Sequence, residues 1–319
     1  MSVVVITEVG DLDPRPGIIL LEDAGFEVVV LWDGLDAPLP PGADRATAAI
    51  VGFAAFGQVQ LDLFPSLRLV CTTSTGVDMV DIAAADARGV EVVGLGGVSS
   101  QEVALHAFAL ILAALRELPA GRRVVSGGGW TADLDVVPRA ANDLVLGLIG
   151  YGRIGRELAR LARPLFARIV AADPAVMESS DGVELTGMDD VLRESDVVSL
   201  HLPATPSTRG IIDADALARM RAGALLVNVS RGELVDSTAA RAALDRGDLS
   251  GYVADVLDAE PPAGDHPLRT HPRAIVTPHM GFLSTASLER YELDPARTVI
   301  ERLAHAPSDR ADSVRSPSS

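Results

Sequence analysis

Short apolar runs alternate with polar or helix-forming stretches from Val3 to Val93. Val3 to Thr7, Glu27 to Leu31, Ala48 to Val51, Leu67 to Thr72 and Val90 to Val93 each have the length and apolar content of a strand. Strands spaced by helical segments predict a small open α/β lobe. From about Ser99 to Arg116 the chain is apolar nearly all round, which predicts a long buried helix with Ser99 or Ser100 as N-cap and Glu102 in its first turn. The sequence Gly127-Gly128-Gly129-Trp130 then reads as a turn-rich arm whose indole seeks an apolar surface.

A second strand–helix series begins near Asp143. Leu144 to Ile149, Arg168 to Ala172, Val197 to Leu200, Leu225 to Val229, Tyr252 to Val256 and Ala274 to Thr277 are the expected strands. Arg153 to about Leu165 reads as a helix that Pro164 helps to end, and Thr238 to Arg246 as one stopped by a left-handed Gly247. The regular spacing is that of a doubly wound parallel sheet. A last helical segment, Ala286 to Ala304, is expected to return to the first lobe.

Charge and composition narrow the function. The 319 residues carry 44 acidic against 27 basic side chains, a formal net charge of −17 that repels phosphate backbones and anionic lipid, so no nucleic-acid or membrane partner is expected. Every basic residue is arginine, which removes Schiff-base chemistry and the phosphate-loop lysine. The single Cys71 lies in the apolar run Leu69-Val70-Cys71 and reads as a small core hydrophobe. No His or Cys spacing suggests a metal site. Without a basic leader ahead of Val3, and with an apolar helix too short to span a bilayer, a cytoplasmic protein is expected.

Gly150-Tyr151-Gly152-Arg153-Ile154-Gly155 follows the strand Leu144 to Ile149 and opens a helix, the context that distinguishes a dinucleotide fingerprint from a bare glycine-rich turn. Gly150 makes the tight turn, Gly152 admits a pyrophosphate to the backbone, and Gly155 lets the helix pack on the sheet. Asp173, 23 residues beyond Gly150, ends the next strand, where a carboxylate accepts hydrogen bonds from ribose hydroxyls and repels a 2′-phosphate. NAD is the expected cofactor. The fold expectation is therefore α/β with two Rossmann-like domains. Residues 98–284 form the doubly wound NAD-binding domain, and 1–97 with 285–305 form a smaller flavodoxin-like substrate domain. The Ser, Pro, Arg and Asp content of 306–319 predicts a disordered tail.

Ligands of such sheets bind beyond the carboxyl ends of the strands. Ser230-Arg231-Gly232, Asp255, Glu260 and His279 all follow expected strands. Singly, Arg231 reads equally as a surface ion-pair partner, Glu260 as a solvated loop acid and His279 as a core histidine. Jointly they supply an anion clamp, an acid and an acid-paired base, the set a hydroxy-acid oxidoreductase needs.

Ser74-Thr75-Gly76-Val77-Asp78, the glycine turn and Ser195 through His201-Leu202-Pro203 resemble the D-isomer-specific 2-hydroxyacid dehydrogenases. So do Asn228-Val229-Ser230-Arg231-Gly232, Asp255 through Glu260-Pro261, and Thr277-Pro278-His279. The resemblance implies Arg231, Glu260 and His279 as catalytic residues. It implies backbone N–H groups of Thr75, Gly76 and Val77 on the substrate carboxylate beside Arg231, and cofactor contacts at Arg153, Ile154, Asp173, Thr208, Val229 and Asp255, with Leu202 and Ser230 beside them. It also implies a D-2-hydroxy or 2-oxo acid substrate, and a homodimer built through the Ser99 helix and the Trp130 arm. His201 is expected to position its loop. The stretch Val98 to Ala104 and the end His279-Met280-Gly281-Phe282 resemble the branch that includes the C-terminal-binding-protein corepressors, with Phe282 lining the substrate pocket. Phe53 and Phe56 join Phe282 as expected selectivity residues. The chain departs from many relatives at Leu105-His106, where they have Glu-His, and near Gly94 and Gly96, where they have an asparagine and a proline.

The chemistry follows from residue type. Arg231 offers a planar, permanently charged fork to a carboxylate. His279 exchanges a proton with the C2 oxygen as hydride moves to or from C2, and Glu260, bonded to the other ring nitrogen, favours the imidazolium. An NAD(H)-sensing, corepressor-like interaction protein with little turnover is the alternative from another class. An NAD enzyme of related architecture acting on amino acids or thioethers is a third, and the absence of lysine argues against an amino-acid dehydrogenase that relies on a catalytic lysine.

Overall fold

Successive residues of a strand face opposite sides of its sheet, and in this chain both sides are apolar, so each sheet must be covered on both faces. In the computed structural model the described residues are 2–304 apart from 9, 11, 33 and 179–181; the tail expected from 306 lies outside them. They form two compact units, Ser99–Ser284 and Met1–Val98 with the segment from Thr285 onward.

In the first unit the strands are β1 (Val3–Ile6), β2 (Glu27–Val30), β3 (Ala46–Val51), β4 (Leu69–Thr72) and β5 (Glu91–Val93). All pair in parallel in the order β2-β1-β3-β4-β5, which is the flavodoxin-like order. The helices are α1 (Arg15–Asp23), α2 (Gln58–Asp62), α3 (Ile82–Ala87) and, from the far end of the chain, α10 (Thr285–Ala304). Val3, Val5, Ala49, Val51 and Val70 pack with Leu61, Phe64 and Ala85 on one face. Val4, Ile6, Ala48, Ile50, Leu69 and Cys71 pack with Leu21, Ala296 and Val299 on the other. α10 thus returns to the first unit as expected. A side chain at Gly17 would meet the Glu292 carbonyl at 2.8 Å, so α1 and α10 touch through glycine. Burial pushes the Cys71 thiol up to about 12, which keeps it protonated and inert.

The second unit carries β6 (Val145–Ile149), β7 (Arg168–Ala172), β8 (Glu184–Leu185), β9 (Val197–Leu200), β10 (Ala224–Asn228), β11 (Leu249–Ala254) and β12 (Ala274–Val276). Their order is β12-β11-β10-β9-β6-β7-β8, all parallel: the dinucleotide-binding order with one strand added at its edge. Helices α4 (Ser100–Leu115) and α6 (Arg153–Ala162) cover one face, where Leu146, Leu148, Leu225, Val227 and Val253 lie. Helices α7 (Met188–Glu194), α8 (Ala214–Arg219) and α9 (Ser237–Arg246) cover the other, over Val198, Leu200, Leu226 and Tyr252. Gly247 caps α9 at φ 80°, the left-handed cap expected.

One helix is added and two readings change. The stretch ahead of the glycine arm is a helix, α5 (Leu118–Ser126), with Pro119 in its first turn, where proline's missing N–H costs nothing. Phe56 is fully buried and stacked on Phe64 at 6.3 Å between centroids, so it belongs to the core and lines no open site. α6 stops at Ala162, short of Leu165. Among the described residues no single helix is long and apolar enough to cross a membrane.

Candidate active site

The strand order of the second unit reverses between β6 and β9, and the glycine turn lies there. Gly150 has φ 95°, and a Cβ on it would stand 2.2 Å from the His201 carbonyl oxygen; a Cβ on Gly155 would stand 2.5 Å from the Gly150 oxygen. Both glycines are therefore required by close backbone approach. Gly152 differs: its φ is −80° and a Cβ there would meet nothing within 4 Å. Packing does not demand a glycine at 152, whereas a pyrophosphate settling on the first turn of α6 does, so this turn fits the dinucleotide. Arg153 is exposed and Ile154 partly buried at the same turn. Asp173 follows β7, where its Oδ2 accepts from the Tyr151 amide at 2.8 Å and its Oδ1 from the Ala175 amide at 2.9 Å. The acid expected at the ribose thus also ties the glycine turn to β7.

His201 donates its amide to Ile149 and places its ring Nε2 2.9 Å from the Ser199 hydroxyl, while its Nδ1 is buried without a partner. Burial pulls its pKa down to about 4, so the ring is neutral at physiological pH and suits a positioning role. The Thr208 hydroxyl closes the following loop, donating to the Pro203 carbonyl at 2.6 Å and accepting from the Thr205 amide at 2.7 Å. Leu202 packs on the core and Val229 is buried beneath the sheet end.

Arg231 follows β10 and Ser230. Asn228 fixes this corner: its side-chain amide donates to the Arg231 carbonyl at 2.8 Å, and its carbonyl oxygen accepts from the Ser230 amide at 3.1 Å. The Ser230 hydroxyl bonds the Leu200 carbonyl at 2.7 Å. A Cβ at Gly232 would lie 1.9 Å from the Leu257 carbonyl carbon, so this glycine lets the Arg231 loop lie on the backbone of residues 257–258. From that segment the chain reaches Glu260, whose Oε1 accepts from the Leu257 amide at 3.0 Å. Asp258 is held 2.6 Å from His266 Nε2, and since His266 Nδ1 accepts from the Leu268 amide, Nε2 carries the proton.

Glu260 Oε2 lies 2.6 Å from His279 Nδ1. With 41% of its side chain exposed, His279 is not a core histidine, and its Nε2 is the nitrogen left for a substrate. Phe282 meets the His279 ring edge-on at 6.1 Å. His279 is left-handed at φ 49°, an arrangement that costs on the order of 1 kcal/mol or more outside glycine and persists only where neighbours over-determine it. Those neighbours centre on Asp255. Its carbonyl accepts the His279 amide at 2.8 Å, and its carboxylate accepts from the Met280 and Gly281 amides and the Thr277 hydroxyl at 3.0, 2.7 and 2.5 Å. Burial pushes the Asp255 carboxyl up, but bonds from His106, Thr277, Gly281 and Met280 offset it and hold the group below the ordinary carboxylate range. Asp255, expected at the cofactor, also holds the histidine loop through its carboxylate. Asn228, Thr277 and His106 are supporting residues that strand-end spacing did not single out. Glu102 and His106, four apart on an otherwise apolar helix, were the available signal.

A cavity of about 370 Å³ opens beside Glu260 and His279, lined also by Leu257, Pro261, Arg269 and Pro278. In the first unit, Thr75, Gly76 and Val77 follow β4, with the Ser74 hydroxyl on the Gly76 carbonyl at 2.6 Å and the Thr75 hydroxyl on the Leu95 carbonyl at 3.1 Å. A Cβ at Gly94 would stand 2.8 Å from the Thr75 carbonyl, so any side chain there requires the Thr75 turn to shift.

The chain is similar to known proteins. A family model described as D-isomer specific 2-hydroxyacid dehydrogenase, NAD binding domain, matches residues 108–281. The D-3-phosphoglycerate dehydrogenase of Mycobacterium tuberculosis strain H37Rv is 36% identical over 296 residues, 91% of this chain and 55% of that one. The chain thus spans about half the length of the D-3-phosphoglycerate dehydrogenases it matches. The glyoxylate reductase of Korarchaeum cryptofilum is 36% identical over 232 residues, 71% of this chain and 70% of that one. A crystal structure of D-lactate dehydrogenase from Aquifex aeolicus, complexed with NAD and lactic acid, has a TM-score of 0.86 at 28% identity and covers 94% of this chain and 95% of its own. The chain belongs to the D-isomer specific 2-hydroxyacid dehydrogenase family.

Proposed function

We propose that this protein is an NAD-dependent oxidoreductase that interconverts a small D-2-hydroxy acid and its 2-oxo acid. The observation that carries the reading is the 2.6 Å contact between Glu260 Oε2 and His279 Nδ1, which leaves Nε2 as the proton-exchanging nitrogen. Bound NADH supplies the hydride that reduces C2. Arg231 binds the substrate carboxylate with its fork and draws electron density from the C2 oxygen. His279 delivers the proton to that oxygen, and in the oxidative direction takes it back. Phe282, edge-on to the His279 ring, faces the substrate's side chain. Relatives named for phosphoglycerate, glyoxylate and lactate support a small 2-oxo acid, and a panel of such acids with NADH and NADPH, followed by absorbance, ranks them.

The test of the dyad is Glu260→Gln. Glutamine keeps the size of the side chain and a hydrogen-bonding oxygen but removes the carboxylate charge from the 2.6 Å contact with His279 Nδ1. kcat for 2-oxo-acid reduction is expected to fall by about tenfold or more, with NADH affinity unchanged. An unchanged kcat removes Glu260 from this role.

Gly152→Ala separates ligand from fold. Its Cβ enters open space, so the melting temperature holds, while NADH affinity falls about tenfold or more as the methyl group meets the pyrophosphate. Unchanged calorimetric affinity contradicts the placement.

We further propose a homodimer. Leu118, Val125, Trp130 and Val137 expose apolar surface along α5 and the arm after it, and a second copy of the chain is the expected cover. Sedimentation velocity should give twice the chain mass of 33.3 kDa; a species at the single-chain mass rejects it.

A further inference from the structure

Four bonds to Asp255 hold the loop from Thr277 to Gly281, yet Asp255 sits at the end of β11 and needs its own anchor. α4 supplies it. His106 Nε2 lies 3.0 Å from the Thr277 hydroxyl and 3.2 Å from Asp255 Oδ1. The Thr277 hydroxyl donates to Asp255 at 2.5 Å, so toward His106 it can only accept. The proton must then sit on His106 Nε2, which donates to both oxygens at once. The imidazole also touches the backbone of the loop: a Cβ at Gly281 would stand 3.2 Å from His106 Cδ2 and 2.9 Å from Asp255 Oδ2. One turn earlier on the same face of α4, Glu102 Oε1 accepts from the Ser284 hydroxyl at 3.0 Å. The ring is largely buried and Asp255 almost wholly so, 18% and 4% exposed at the side chain. Leu105, the neighbouring position, points outward.

We propose that His106 is a positioning residue for His279, acting through the carboxylate of Asp255: it pins the β11 end and the 277–281 loop to α4, and so fixes the left-handed turn that aims the His279 imidazole. The inference rests on the reading of His279 as the proton-exchanging group. Leucine at 106 keeps the apolar packing of α4 and removes the donor; glutamine keeps an N–H near the position of Nε2. A loosened loop misplaces the imidazole without changing how either ligand is held, so the loss falls on kcat.

The experiment compares His106→Leu, His106→Gln and His279→Asn with the wild type by amide hydrogen exchange at Met280 and Gly281, by kcat and KM for 2-oxo-acid reduction, and by melting temperature. Expected for His106→Leu is exchange faster by about tenfold at both amides, kcat lower by about tenfold, and KM within about twofold. His106→Gln should recover most of both. The proposal is overturned if exchange stays at the wild-type rate in His106→Leu, or if exchange rises while kcat holds. It is equally overturned if the leucine and glutamine variants lose the same activity together with a lower melting temperature, which marks helix packing alone. Wild-type turnover in His279→Asn instead removes the reading of His279, whereas the exchange rates report on the anchor in any case.

Discussion

Arg231→Ala is expected to lower kcat/KM for 2-oxo-acid reduction by about a thousandfold while NADH binding persists. The magnitude comes from what a guanidinium does that alanine cannot. Two charge-assisted bonds to a carboxylate contribute on the order of 3 to 5 kcal/mol, and each 1.36 kcal/mol is a decade in rate. The selectivity of the effect comes from the fold. The Arg231 corner is set by Asn228 and by the approach of Gly232 to the 257–258 backbone, to which the guanidinium adds one bond, donated to the Ser230 carbonyl at 2.8 Å. The glycine turn stands on a different strand, after β6, and keeps its shape. Arg231→Lys should recover little, because an ammonium is a point charge without the planar fork. Stopped-flow fluorescence for NADH and steady-state rates for the oxo acid separate the two effects. Lost NADH binding with unchanged catalysis would assign Arg231 to the cofactor instead.

How much of this was legible in the sequence depends on how local each determinant is. Strand cores were, because short continuous apolar runs such as Leu144 to Ile149, spaced by helical segments, are those of a parallel sheet covered on both faces. The strand-end positions of Arg231, Glu260 and His279 followed from those runs, and their side chains followed from residue type. Contacts set by partners far along the chain were hidden. In Gly52-Phe53-Ala54-Ala55-Phe56 no periodicity says which ring turns in; the Phe56 pairing with Val80 and its stacking on Phe64 decide it, leaving Phe53 53% exposed. α5 was hidden because Gly121, Arg122 and Arg123 break the apolar period where the helix is mostly solvated. His106 was hidden for the same reason as Phe56: its partners, Asp255 and Thr277, are 149 and 171 residues away in the chain and meet it only once the sheet has formed.

His279→Asn removes the proton carrier with little change to the backbone, because asparagine is among the few side chains that accept the left-handed region where His279 sits at φ 49°. An amide cannot exchange a proton near neutral pH, so kcat/KM for reduction should fall by about 10²- to 10⁴-fold, the usual weight of a positioned general acid. The fall must be the same in the oxidative direction. The ratio of the two kcat/KM values, each taken with its saturating cofactor and corrected for cofactor affinity, is fixed by the equilibrium of the reaction, which no substitution alters. One imidazole serving as acid one way and base the other way therefore has a specific signature: matched losses at a common pH, with NADH affinity preserved. A variant that kept more than about a tenth of its activity would show that the proton arrives by another route, since removing the only carrier costs at least two decades. The Glu260–His279 pair would then be a structural ion pair on the loop that Asp255 holds.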